Sequence, residues 1–266
     1  MDLLAITELL KFIFAGAGVG FMVGLTGVGG GSLMTPLLIF FHIPPHIAIG
    51  TDLIYAAGTK AGGIVAHAKQ ATINWAIVLR LSMGSIPAAL ITVYLLKNVF
   101  GSPEAYQHVL LTALGYMLIF TASVILLRSR LLKSYKLKEK SLHSLKNNQT
   151  LLTVMMGAIL GVCVTLSSVG AGAFGAAALM MLYPRLNPVT IIGTDIAHAV
   201  PLTLIAGIGH MQLGNVDFSL LGCLLLGSLP AIHFGSKLSK KVPADKLQTA
   251  LALILIAIGC KYAFFR

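Results

Sequence analysis

Two carboxylates stand where a hydrophobic chain can least easily hold them. Asp52 and Asp195 are two of only eight acidic residues, and each follows a Gly-Thr pair inside a long apolar stretch. Burying a carboxylate in a bilayer is expensive, so such a residue faces a cavity or a partner. This makes both aspartates candidates for carrying a coupling proton. The competing reading is a helix N-cap, in which each carboxylate accepts backbone N–H bonds beside a Pro-rich turn. His198 lies three residues after Asp195, on the same helical face. An Asp–His contact there would orient or titrate the imidazole. Tyr55 holds the corresponding place after Asp52. Lys60, eight residues beyond Asp52, is a candidate cation for an anionic substrate, or else it pairs with an acid or snorkels.

Glycine clusters supply the second chemistry. Gly29, Gly30 and Gly31 stand together, and Gly170 and Gly172 flank Ala171. A dinucleotide loop needs a preceding strand and a following soluble helix, which are missing here. In a membrane, such a cluster breaks a helix and exposes backbone N–H groups at the start of the next one, where dipole and free donors favour an anion. Close helix packing through small residues is the alternative. Ser32, Ser168, Thr51 and Thr194 would add hydroxyls. The expected substrate-binding set is thus Gly29, Gly30, Gly31, Ser32, Ser168, Gly170, Gly172, Thr51, Thr194 and Lys60, with Asp52, Asp195 and His198 expected to couple.

No nucleophile–base–acid set, HExxH, P-loop or GxSxG occurs, so no enzyme is expected. His67 and His210 lack a supporting Cys or carboxylate cluster, so neither a metal nor another cofactor is expected. Cys163, Cys223 and Cys260 form no CxxC and read as packing residues.

The elements that must position these groups are membrane helices. Of 266 residues, 57% are hydrophobic and 10% charged, against about 25% charged in soluble domains. Residues Phe12–Thr51, Ala105–Leu127, Asn147–Pro184 and Phe218–Ser236 contain no Asp, Glu, Lys or Arg. About 20 apolar residues span the hydrocarbon core as a helix, and unpaired backbone is not tolerated in lipid. The alternation of a β-barrel is missing. The expected fold is an all-α polytopic bundle of about 8–10 membrane segments. The N-terminal stretch reads as a retained span, since Asp2 and Glu8 precede its first lysine.

The chain also repeats itself. Gly50-Thr51-Asp52 recurs as Gly193-Thr194-Asp195, His67 as His210, and Gly84-Ser85-Ile86-Pro87-Ala88 as Gly227-Ser228-Leu229-Pro230-Ala231, all 143 residues apart. Residues 1–128 form a first transmembrane repeat, 129–149 a basic linker and 150–266 a second repeat. In each, a long span ends at the glycines, a short apolar piece follows (Ser32–Ile43 or Phe174–Tyr183), then a Pro-containing turn, the GTD helix and two further spans. The net charge of +11 does not indicate nucleic acid. It sits mainly in Arg128–Lys146 and Lys237–Lys246, which read as cytoplasmic loops beside anionic lipid. Having both loops inside requires an odd number of crossings per half and inverted repeats, a plan of secondary transporters.

Gly27–Pro36 (GVGGGSLMTP), Gly50–Asp52, His67 and Gly84–Ala88, with their second-half partners and His210–Asp217 (HMQLGNVD), resemble the TauE/SafE family of sulfite exporters over nearly the whole chain. The departures are Asp52, where the family motif is GTS-like, and Ala88 and Ala231, where GSIPG-like motifs end in Gly. The resemblance implies a secondary transporter that exports a small anion such as sulfite or a sulfonate. The expected setting is the inner (plasma) membrane of a bacterium, with a small anion and the lipid bilayer as partners, no nucleic acid, and a homodimer as the assembly. The alternatives are a membrane accessory or biogenesis factor without transport, and, ranked below it, an intramembrane enzyme.

Overall fold

The computed structural model describes residues 3–26, 31–137, 148–238 and 244–264. Among them are ten α-helices and no strand: α1 Leu3–Thr26, α2 Gly31–Phe40, α3 Pro45–Lys69, α4 Trp75–Leu95, α5 Pro103–Leu137, α6 Gln149–Ser167, α7 Ala173–Leu182, α8 Pro188–Gln212, α9 Phe218–Leu238 and α10 Ala244–Phe264. A π-helical turn, Leu96–Phe100, extends α4. Among the described residues, seven helices are long and apolar enough to cross a membrane. Helix α3 has the length, 25 residues, but carries Asp52, Lys60 and Lys69. The short apolar pieces are α2 and α7, ten residues each. At about 1.5 Å per residue they reach only halfway across a bilayer. Of the two basic segments, α5 continues through Leu137, residues 138–147 and 239–243 lie outside the described residues, and Lys237 is exposed at the end of α9.

The two sets of five helices interlock. The first helix of each set packs on the fourth helix of the other, α1 on α9 and α6 on α4. These contacts need glycine. On α1, Gly16, Gly20 and Gly24 press against the backbone of Leu224, Ser228 and Ile232, and Gly157 and Gly161 of α6 press against Leu81 and Ser85. In lipid, helices associate by packing rather than by the hydrophobic effect, and small residues let backbones approach. The Gly84-Ser85 and Gly227-Ser228 pairs belong to these two seams, where any Cβ on Gly84 or Gly227 would meet the partner backbone.

The same contacts fix helix directions. Helices α3 and α8 cross antiparallel: Gly50 abuts Asn215, Gly207 abuts Ile54, Gly63 abuts Ile196 and Gly193 abuts His67. Helices α5 and α10 are also antiparallel, with Gly115 against Ala263 and Gly259 against Ile119. Helix α4 runs parallel to α8, pairing Asn74 with Thr194 and Ser85 with His198. Tyr106 at the start of α5 bonds Asn215 beyond the end of α8. Gln248 near the start of α10 bonds the Thr26 carbonyl at the end of α1. It follows that α5 and α9 end, and α6 and α10 begin, at one end of the bundle.

Candidate functional site

Both GTD motifs lie where α3 and α8 cross. Their three residues divide the work. Gly50 and Gly193 allow close approach to the turns after α8 and α3. The Thr51 hydroxyl accepts the Asp217 N–H at 3.0 Å, and the Thr194 hydroxyl accepts the Asn74 N–H at 3.0 Å. Asp217 and Asn74 in turn cap α9 and α4, accepting N–H bonds from Leu220 and Ile77. Each threonine thus ties its own half to a helix start in the other. His67 and His210 close the same turns. His67 Nδ1 lies 2.8 Å from the Thr72 hydroxyl. His210 bonds the Thr165 carbonyl through Nε2 at 2.9 Å and Asn215 through Nδ1 at 3.2 Å, so both ring nitrogens are engaged.

The aspartates do something else. Neither caps its helix: α3 starts at Pro45 and α8 is capped by Asn187, whose side chain accepts the Val189 N–H. Asp52 is fully buried and Asp195 is 2% exposed. Asp52 Oδ2 accepts a short hydrogen bond from Thr35 of α2, at 2.5 Å. Its Oδ1 has no hydrogen-bond partner among the described residues. The nearby Ser168 hydroxyl interacts with the carboxyl without completing a hydrogen bond. Asp195 Oδ1 has no partner among the described residues either. It rests against Gly175 in the first turn of α7, where a Cβ would collide with it. A carboxylate there interacts favourably with the positive end of the α7 dipole.

Between the two carboxylates comes Lys60. It interacts electrostatically with Asp195 first and with Asp52 second. Its ammonium donates to the Ala171 carbonyl at 2.9 Å. Ala171 lies in the break between α6 and α7, so the second glycine cluster and the α3 lysine meet. The break begins at Ser168, in the left-handed region (φ 57°), and passes through Gly170 (φ 121°) and Gly172 (φ 134°). Gly172 precedes α7, and no side chain caps that start.

An expected Asp195–His198 contact does not form. His198 is turned to α4, with Nε2 2.8 Å from the Ser85 hydroxyl, because the fully buried Ser85 offers a partner on the facing helix. The corresponding Tyr55 faces Ser228 of α9, though neither hydroxyl completes a hydrogen bond. Gly29 and Gly30 lie outside the described residues, and Gly31 opens α2. Ser32 is buried near the start of α2. Gly175, Thr35, Tyr55, Ser85 and Ser228 were not singled out from sequence as site residues. A signal existed for the last three: the spacing of 143 that aligns Tyr55 with His198 also aligns Ser85 with Ser228.

Comparison with known proteins adds the family context. Residues 12–262 match the family described as Sulfite exporter TauE/SafE. A probable membrane transporter protein of Bacillus subtilis, YjnA, is 40% identical over 252 residues, covering 95% of this chain and 98% of the relative. A second from that organism, YdhB, is 30% identical over 257 residues, covering 92% and 96%. A probable membrane transporter protein of Xylella fastidiosa is 25% identical, covering 96% and 95%. No solved structure matches the chain.

Proposed function

Because this chain belongs to the TauE/SafE sulfite exporter family, and is therefore a multi-pass membrane transporter rather than an enzyme, we propose that it exports a small anion, a sulfur oxyanion or an organosulfonate such as sulfite or a sulfoacetate-like compound. The membrane is the bacterial cytoplasmic membrane. The observation that carries the reading is the position of the Asp195 carboxylate. It rests against the first turn of α7, within the electrostatic reach of Lys60. Uncapped helix starts and lysines are what a bound anion uses. Asp195 thus stands where an anionic substrate would be held.

This gives a mechanism of exchange. While Asp195 is charged, its field offsets the Lys60 charge and the positive end of the α7 dipole, and the site repels an anion. When Asp195 takes a proton, the Lys60 charge and the positive end of the α7 dipole are no longer offset and can hold the substrate. Loss of the proton returns Lys60 to Asp195 and expels the anion. Anion and proton then occupy the site together, which couples their movement.

Alternating access fits the helix directions. The antiparallel run of α3 against α8, and of α5 against α10, supports two inverted repeats meeting at the α3–α8 crossing. The common end for the segments around 138–147 and 239–243 fits a cytoplasmic side rich in Lys and Arg.

The test is flux of a panel of oxyanions and sulfonates into proteoliposomes containing the purified protein. Wild type should move at least one sulfur anion, and Lys60→Gln should lose at least tenfold in rate. Absence of flux for every anion in the panel would overturn the transporter reading in favour of an accessory role.

A further inference from the structure

The two aspartates look equivalent in sequence but have different surroundings. Asp195 meets a glycine. Asp52 meets two hydroxyls, one bonded to Oδ2 from Thr35 and one from Ser168 beside the carboxyl. Two atoms of this cluster are left short: the Ser168 hydroxyl approaches the carboxyl, yet neither Ser168 Oγ nor Asp52 Oδ1 completes a hydrogen bond among the described residues, and the two residues are 4% and 0% exposed. A buried carboxylate oxygen and a buried hydroxyl that complete no hydrogen bond cost free energy as they stand. The arrangement becomes favourable when a third group sits between them.

We infer that Asp52, Thr35 and Ser168 form a binding site for a monovalent alkali cation, Na+, at the end of α6. Four features select that chemistry. The donors are all oxygen, which suits a hard cation and excludes a soft one. They include one carboxylate, so a monovalent ion is neutralised and a divalent one is not. Ser168 follows directly on α6, so the negative end of that helix dipole faces the site. The local charge balance also has room for one more positive charge. With both carboxylates ionised, Asp52, Asp195 and Lys60 sum to one net negative charge, and Lys60 is drawn first to Asp195. The Lys60 ammonium itself is held on the Ala171 carbonyl, which leaves the oxygens at Asp52 to another cation. Helix ends and broken-helix backbone serve this purpose in other transporters.

This deepens the transporter reading by assigning Asp52 to a metal ion and leaving the coupling proton to Asp195. Its test needs neither substrate nor flux, so its failure leaves the anion proposal intact, and failure of flux leaves the cation site intact. The purified full-length protein in detergent at pH 8 is titrated with NaCl, KCl or N-methylglucamine chloride at constant ionic strength, and thermal unfolding is followed. Ligand binding to the folded state raises Tm. The expected result is a saturable rise of about 5 °C in Na+ that K+ and N-methylglucamine do not reproduce. Ser168→Ala and Thr35→Val should each remove most of that rise. Asp52→Asn should abolish it, and its own Tm in N-methylglucamine shows whether it folds. The inference is overturned by an equal rise in all three salts, by none in Na+, or by full retention of the rise in both hydroxyl variants. It is overturned equally if lowering the pH in N-methylglucamine produces the stabilisation and Na+ does not, because Asp52 would then take a proton instead.

Discussion

The imidazole of His198 lies 2.8 Å from the hydroxyl of Ser85, 113 residues away in the chain. Its positional counterpart Tyr55 faces Ser228, the counterpart of Ser85. In each half, then, the serine of the glycine–serine motif meets a polar residue three positions after the other half's aspartate. These side chains sit behind the carboxylates and join the α3–α8 crossing to the two glycine seams. Removing the Ser85 hydroxyl strands a buried imidazole nitrogen, which costs about 1–3 kcal/mol. Ser85→Ala should therefore lower Tm in detergent by several degrees, whereas Ser82→Ala, outside this contact, should leave it within a degree. Equal Tm values for the two variants would show that the pair contributes nothing.

The exchange mechanism assigns the pH dependence of flux to Asp195. Asp195→Asn removes the charge and keeps the shape, leaving the Lys60 charge permanently without the offset from Asp195. The variant should bind the anion at all pH values, and its flux should lose its dependence on pH. A wild-type pH profile in Asp195→Asn would remove the proton from the mechanism. Asp52→Asn, by contrast, should alter the response to Na+ more than the response to pH.

Gly175 is the position most directly tied to that carboxylate. A methyl group there collides with Asp195 Oδ1, so Gly175→Ala should displace the carboxylate from the α7 start. The expected effect is a fall in flux of at least tenfold with normal membrane insertion and a shifted pH profile. Gly172→Leu should be more severe. It places a side chain at φ 134°, a conformation open mainly to glycine, and fills the space before α7. Gly30→Leu is also expected to abolish flux. Normal flux in both leucine variants would reduce these glycines to packing residues.

The seam glycines should behave differently. Gly20→Leu or Gly84→Leu forces apart backbones already in contact. Overpacking of this kind costs about 1–3 kcal/mol or more. These variants should lower the yield and Tm of folded protein without a selective loss of pH response. A well-folded Gly84→Leu with normal Tm would contradict the tight α4–α6 seam.

Topology is tested by cysteine accessibility. Single cysteines placed at 142 and 240, in a variant lacking Cys163, Cys223 and Cys260, should both be shielded from an impermeant thiol reagent applied outside the cell. A cysteine at 102, between α4 and α5, should be labelled. External labelling at only one of 142 and 240 would sink the inverted arrangement.

The sequence by itself determined the class of the protein and most of its elements. Charge-free runs long enough to cross a bilayer leave a chain few options but helices, and that argument is local. The short lengths of α2 and α7 were legible for the same reason, since the glycines before them and Pro44 or Pro184 after them mark the breaks. The spacing of 143 made two matching halves visible without any contact being known. What those motifs do was decided only in three dimensions. Thr51 and Thr194 bind helix starts 166 and 120 residues away, and Lys60 bonds a carbonyl 111 residues on. No spacing along one helix encodes a partner on another. The crossing of α3 and α8 also separated the two aspartates, which share a motif but not a neighbour. One received Thr35 and Ser168, the other the bare backbone of Gly175. That difference arises because α2 and the end of α6 lay hydroxyls against one carboxylate and α7 lays bare backbone against the other, and only the packing of these helices brings it out.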